Sequence, residues 1–214
     1  MELIRTLIDF ILHIDRHLVE IVSQYQTWTY LILFLIIFAE TGFVVTPFLP
    51  GDSLLFAVAA LIAKGNTGLD IYLMALLLCI AAIAGNTVNY YLGRYLGVKV
   101  FKPENKVLKL EYYTKTREFF DKHGGKAVIF SRFLPIIRTV APFVAGVGRM
   151  EIGRYTTYNI IGGVSWVVSF LLLGYLFGNL PVVKENFTIV VLLIIVVSVF
   201  PAFYAAIQSR LKKA

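Results

Sequence analysis

The sequence predicts an all-α integral membrane protein: two re-entrant helical hairpins plus transmembrane helices in an inverted repeat, with amphipathic interfacial helices. Three observations carry this. The 214 residues are 58% hydrophobic and 15% charged, where soluble domains average about 45–50% and about 25%. Segments 71–92, 155–177 and 187–207 are each apolar over the roughly 20 residues that a hydrocarbon core requires. Two further apolar segments, 28–63 and 127–147, are interrupted by prolines and charge. Broken backbone at membrane depth survives only inside protein or beside a water-filled cavity.

One membrane domain, 1–214, accounts for the whole chain. In residues 2–26, Arg5, Asp9, His13, Arg16 and Glu20 recur at three- and four-residue spacing. They line one face of an amphipathic helix that is expected to lie on the membrane. Acids and histidines interrupt its apolar run, which argues against a cleavable signal peptide. Residues 28–97 read as the first hairpin plus a span. A helix Trp28–Gly42 ends in Glu40-Thr41-Gly42, then Pro47, Pro50 and Gly51 break the chain, because proline lacks a donor and Pro-Gly turns. Ser53–Ala63 is apolar but too short to cross. The span 71–92 carries Asn86 and Asn89 and runs into Gly93-Arg94-x-x-Gly97.

Residues 98–125 form a basic segment. From Arg94 to Lys126 the bases Arg94, Lys99, Lys102, Lys106, Lys109, Lys115, Arg117, Lys122 and Lys126 face only Glu104, Glu111, Glu118 and Asp121. Positive loops stay in the cytoplasm, so this segment and the basic C-terminus are expected inside. Topology and anionic lipid explain the charge without nucleic acid. Residues 126–178 repeat the earlier plan, with Pro135, Pro142 and Gly146 as the expected breaks and a span, 155–177, carrying Asn159, Gly162 and Trp166. Counting inward and outward from the basic loop gives the two hairpins opposite orientation, a transporter signature. Segment 187–207 is the last span. The single cysteine, Cys79, excludes an internal disulfide; it reads as a packing residue.

The candidate machinery is the charge on the two hairpins. An arginine cannot shed its charge, and at membrane depth an ionisable side chain marks a pathway or ligand site. Arg132 and Arg138 are six residues apart, off one face of a regular helix, with Pro135 between them to bend the chain. Their forked donors suit phosphate oxygens, so both are assigned to substrate-phosphate binding. Glu40 and Asp52, on the first hairpin, are assigned to proton coupling. Asn86, Asn89, Thr139 and Asn159 are expected to line the cavity, although each asparagine alone is equally suited to bridging helices. Tyr90, Tyr91, Tyr155 and Tyr158 read as interfacial aromatics. A static ion-paired clamp is the competing structural reading of the charges.

Glu40 followed by Pro47-x-x-Pro50-Gly51-Asp52 resembles the first-hairpin motif of the DedA family of membrane proteins. Phe130-x-Arg132-Phe133-x-Pro135-x-x-Arg138-Thr139-x-x-Pro142-x-x-Ala145-Gly146 resembles its second. Gly85-Asn86-x-x-Asn89-Tyr90-x-x-Gly93-Arg94-x-x-Gly97 and Asn159-x-x-Gly162-x-x-x-Trp166 are similar to its span motifs. The likeness covers residues 30–180, with Asn86 standing where many members carry an acid. It implies a bacterial plasma-membrane protein that flips polyprenyl (undecaprenyl) phosphate, or a related anionic phospholipid, under the proton motive force. The acids fall on Glu40 and Asp52 and the arginines on Arg132 and Arg138. The implied partners are the lipid phosphate, membrane lipids and protons; no cofactor or metal is expected, and a homo-oligomer is compatible. A proton-coupled ion or small-molecule antiporter would use the same acids. A lipid-phosphate phosphatase fits less well: His13, His17 and His123 all lie outside the membrane segments, and no metal-ligand cluster is present.

Overall fold

The computed structural model describes residues 26–43, 51–65, 67–97, 110–178 and 180–181. The expected helix 2–26 up to residue 25, Pro47, Pro50, the linker 98–109 and the last span fall outside the described residues. All regular structure among the described residues is helical: α1 (Gln26–Gly42), α2 (Gly51–Ala63), α3 (Ile71–Leu96), α4 (Leu110–His123), α5 (Ala127–Ser131), α6 (Pro135–Val147) and α7 (Ile152–Gly178), with one 3-10 turn, Gly124–Lys126, between α4 and α5.

Helix α3, at 26 residues, and α7, at 27, are long and apolar enough to cross a membrane. Each keeps a stripe of large apolar side chains on its outside. On α3 the stripe is Tyr72, Leu76 and Ile80; on α7 it is Ile161, Val164, Val168, Leu172 and Leu176, all exposed. Side chains three and four apart share one helix face. A soluble chain rarely exposes so large a contiguous apolar face, whereas hydrocarbon is its natural solvent. Both helices extend beyond the expected 71–92 and 155–177, by a turn at the end of α3 and a turn at the start of α7. The ends are built by local chemistry. Asp70 Oδ1 accepts the Leu73 amide at 2.7 Å and caps α3. Gly97, in the left-handed region at φ 67°, returns its amide to the Gly93 carbonyl and closes the other end.

The molecule divides into two units, the described parts of 1–33, 50–75 and 169–214 and those of 34–49 and 76–168. In the first, α2 packs on the end of α7: a Cβ on Gly174 or Gly178 would run into the backbone of Phe56 or Ala60. In the second, α6 packs on the end of α3 by the same device, Gly93 against the Phe143 backbone and Gly146 against the Tyr90 carbonyl. Gly85 of α3 lies against Phe38 and Thr41 of α1, and Gly162 of α7 against Ile129 of α5. The short helix after each break thus docks on the long helix of the other half of the sequence. Small residues are what allow such backbone approach between apolar helices.

Helix α4 is amphipathic. Its outer face carries Lys115–Glu111 (2.7 Å) and Arg117–Asp121 (3.7 Å) pairs, and Glu111 raises the Lys115 ammonium above its ordinary value. Its inner face sends Tyr112, Tyr113 and Phe120 onto Val140, Phe143 and Val144 of α6. Two residues expected to break the second hairpin do not. Pro142 lies inside α6, and the helix continues through Gly146 to Val147. Pro142 withholds one N–H from the Arg138 carbonyl, a loss that helices among other helices tolerate. Gly146 serves close packing instead.

Gly93→Ala is expected to destabilise purified protein by about 1–3 kcal/mol through overpacking, lowering its melting temperature. Gly153→Ala is the control and should leave it unchanged, since a Cβ there meets nothing nearer than Glu151 Oε1 at 3.9 Å.

Candidate anion site at the broken helix

The segment after α4 is helical to Ser131 and then tightens. The amides of Arg132, Phe133 and Leu134 bond to the carbonyls of Ile129, Phe130 and Ser131, three residues back. Leu134 is extended (φ −114°, ψ 106°), as a residue before proline prefers, and Pro135 starts α6 as its first residue. This break brings together what six residues of regular helix would splay apart. Arg132 begins the tight turn, Arg138 lies one turn into α6, and their guanidinium carbons stand 6.0 and 5.5 Å from the ring of one tryptophan, Trp166. Both distances are within cation–π range.

The two arginines are held differently. Arg132 is 3% exposed and fixed from several sides. Its Nη2 donates to Asn159 Oδ1 at 2.7 Å and to the Ala82 carbonyl at 3.2 Å. With its amide oriented to satisfy both neighbours, Asn86 accepts from Arg132 Nε and Nη2 at 3.1 and 2.8 Å and donates to the Thr41 carbonyl at 3.2 Å. Arg132 Nη1 is buried with no acceptor among the described residues. Arg138 instead pairs directly with Glu40, which is 2% exposed against 14% for the arginine side chain. One guanidinium is therefore held by neutral dipoles and the other by a carboxylate.

The surrounding elements explain this placement. Asn159 also donates to the Ile83 carbonyl (3.0 Å) and to Thr87 Oγ1 (3.2 Å), which sets its oxygen toward Arg132. Gly163 leaves room for the guanidinium; a Cβ there would stand 3.3 Å from Nη2. Asn89 donates to the Thr41 and Thr139 carbonyls at 3.2 and 2.9 Å, tying the end of α1 to α6. Tyr90 and Tyr155, expected at the interface, are fully buried. They stack at 4.3 Å, and Tyr155 donates to the Asn86 carbonyl at 2.7 Å while Tyr90 donates to that of Met150. Their hydroxyls need partners once buried, and here they brace α3 against α7.

Glu40, Thr41, Asn86, Arg132, Arg138, Thr139 and Trp166 line a cavity of about 10 Å³. That is room for at most one water, so a phosphate enters only if the Glu40–Arg138 contact opens. Of the residues expected in the site, Glu40, Asn86, Arg132, Arg138 and Thr139 line this cavity. Asn159 supports it from behind and Asn89 acts as a brace. Asp52, at the second position of α2, belongs to the other unit. Gly51 starts α2 and Pro135 starts α6; Pro47 and Pro50 are outside the described residues. Two lining residues were missed. Thr41 follows Glu40 directly, and Trp166 falls seven residues after Asn159, two turns along the same face of α7; that spacing was the available signal.

An apolar helical chain with two largely buried guanidinia beside a broken helix defines a membrane protein with a polar cluster inside its helices. The chain belongs to the DedA family of bacterial membrane proteins: its residues 49–176 match the VTT domain. It is 50% identical to Protein DedA of Escherichia coli K12 over 211 residues, 98% of this chain and 96% of that one. It is 39% identical to an uncharacterized membrane protein of Mycobacterium leprae over 185 residues, 84% of this chain and 82% of that one. Inner membrane protein YqjA of Escherichia coli K12 is 38% identical over 154 residues, 72% of this chain and 69% of its own. No solved structure matches the chain.

Removing one partner of a buried pair leaves an uncompensated charge, at about 3–5 kcal/mol. Glu40→Gln and Arg138→Gln should each destabilise the protein by that order, and the double variant by clearly less than their sum. Equilibrium unfolding in detergent across this cycle measures the coupling.

Proposed function

We propose that the chain is a flippase for an anionic lipid phosphate, with polyprenyl phosphate as the substrate that best fits the family, in the bacterial plasma membrane. In this reading the segments around the two breaks are re-entrant hairpins of inverted orientation, and the basic loop and C-terminus are cytoplasmic. The observation that carries the proposal is the unequal holding of the two arginines. Arg132 is a preset donor with Nη1 still available beside the cavity; Arg138 is a donor on loan to Glu40.

The chemistry follows from that asymmetry. A phosphate oxygen reaching the site takes the Nη1 hydrogen bond of Arg132 and competes with Glu40 for Arg138. Guanidinium forks bind phosphate bidentately, and both forks stand within cation–π range of the Trp166 ring. Protonating Glu40 removes its side of the competition and frees Arg138. Deprotonation restores the pair and expels the headgroup. Asp52 serves as a second proton-exchanging group on the first hairpin. The isoprenoid tail stays in lipid while the headgroup moves through the protein. A membrane potential of 100 mV contributes about 2.3 kcal/mol per charge, enough to bias direction but not to carry a bare phosphate through hydrocarbon. The protein therefore shields the headgroup rather than pulling it. No covalent step is needed, so the chain is read as a transporter and not an enzyme.

The test is vesicle reconstitution with a labelled polyprenyl phosphate, following its sidedness. Replacing Glu40 and Arg138 together by glutamine removes the pair without leaving a lone ion. That variant should insert and remain monodisperse but flip at under a tenth of the wild-type rate. Flipping at the wild-type rate would refute the role of the pair, and inorganic phosphate released from the substrate would replace transport with hydrolysis.

A further inference from the structure

A second cavity, of about 380 Å³, opens where α4, the 3-10 turn, the end of α6 and the start of α7 meet. Its volume lies in the range of small-ligand sites, and it is far larger than the arginine cavity. Two guanidinia line it from different elements, Arg117 of α4 and Arg154 of α7, and no carboxylate is among the lining residues. Gly124, Gly125 and Gly148 are also lining residues, so there backbone rather than side chain faces the space. Gly125 is required for this shape: a Cβ there would collide with the Tyr158 ring and stand 3.1 Å from Arg154 Nε. The Arg154 guanidinium instead lies over that ring, 6.0 Å from its centroid.

The charges nearby leave both arginines able to bind. Arg117 is hydrogen-bonded to Tyr113 and makes a 3.7 Å contact with Asp121, in which both side chains are more than half exposed. Such a pair is weak and yields to a dianion. Glu151 is exposed on the turn before α7 and is not a lining residue. The remaining lining is largely apolar, from Tyr113, Phe120, Val144, Ala145 and Met150. A pocket lined by two arginine forks and by apolar side chains matches a phosphate that is attached to a hydrocarbon chain.

We propose that this pocket is a second anion-binding site, which takes a phosphoryl headgroup through Arg117 and Arg154. It is independent of the arginine pair at the helix break. The two cavities share α6: Arg138 and Thr139 line the first, Val144 and Ala145 the second. Six residues separate Arg138 from Val144, about 9 Å of helix. A headgroup in the second site therefore sits against the far end of the helix that presents Arg138, where anionic lipid can wait or tune the movement of α6.

The experiment uses the full chain in detergent micelles and measures binding of phosphatidic acid by native mass spectrometry, with inorganic phosphate as the soluble arm. Wild-type protein should retain phosphatidic acid, and Arg117→Gln with Arg154→Gln should weaken retention at least tenfold. The Glu40→Gln/Arg138→Gln protein should keep a bound fraction that is lost when Arg117→Gln and Arg154→Gln are added to it, which separates this site from the flippase site. Displacement by millimolar inorganic phosphate would assign the site to the phosphoryl group alone; resistance to it would assign it to the intact lipid. Unchanged retention in the Arg117/Arg154 variant, or loss only in the Glu40/Arg138 variant, would overturn the proposal. Should the double variant not fold, each single substitution carries the same comparison.

Discussion

A guanidinium buried in an apolar chain cannot solve its problem by losing its proton, and this constraint organises the centre of the molecule. Arg132 is surrounded by an amide from α7, an amide from α3 and a carbonyl from α3. Those three groups are themselves oriented by further hydrogen bonds, such as Asn159 to Ile83 and Thr87. The helix break, the glycines beside the guanidinium shaft and the indole under both arginines follow from the same need. Buried polar networks stabilise only when nearly every member is satisfied. Here one donor, Arg132 Nη1, is buried with no acceptor among the described residues.

The packing supplies the rigidity that this arrangement needs. Without a hydrophobic driving force between helices in lipid, close backbone contact and polar bridges must hold them together. Gly93 with Gly146, and Gly174 with Gly178, bring the short helices onto the long ones. Asn89, bonded to both Thr41 and Thr139, links the carboxyl end of α1 to the second turn of α6. Glu40 precedes Thr41, and Arg138 precedes Thr139. Asn89 thereby fixes the two residues of the ion pair in register through their neighbours, leaving the pair itself to open.

Much of this was legible in the sequence, for reasons that differ by residue. The break at Pro135 could be read because a proline and its predecessor restrict backbone angles locally. The pairing of acid with base between hairpins could be anticipated from charge in apolar surroundings, but not which acid meets which base; Glu40 pairs with Arg138, and Asp52 belongs to another unit. Pro142 misled because its one missing hydrogen bond does not stop a helix that neighbours support. Tyr90 and Tyr155 misled because tyrosines near span ends usually sit at the membrane surface, and only the fold shows that they stack on each other inside. Trp166 was a motif residue with no assigned role, since its contact with both guanidinia exists only once the helix is broken.

The proposed cycle turns on a headgroup phosphate taking Arg138 from Glu40, with a proton replacing the arginine on the carboxylate. Proton uptake during headgroup binding, followed by a pH indicator in weakly buffered detergent solution, tests this most directly. The account predicts uptake of about one proton per headgroup bound at the central site in the wild type. It predicts none in Glu40→Gln, which should still bind. Equal uptake by Glu40→Gln, or headgroup binding by the wild type without uptake, would contradict it.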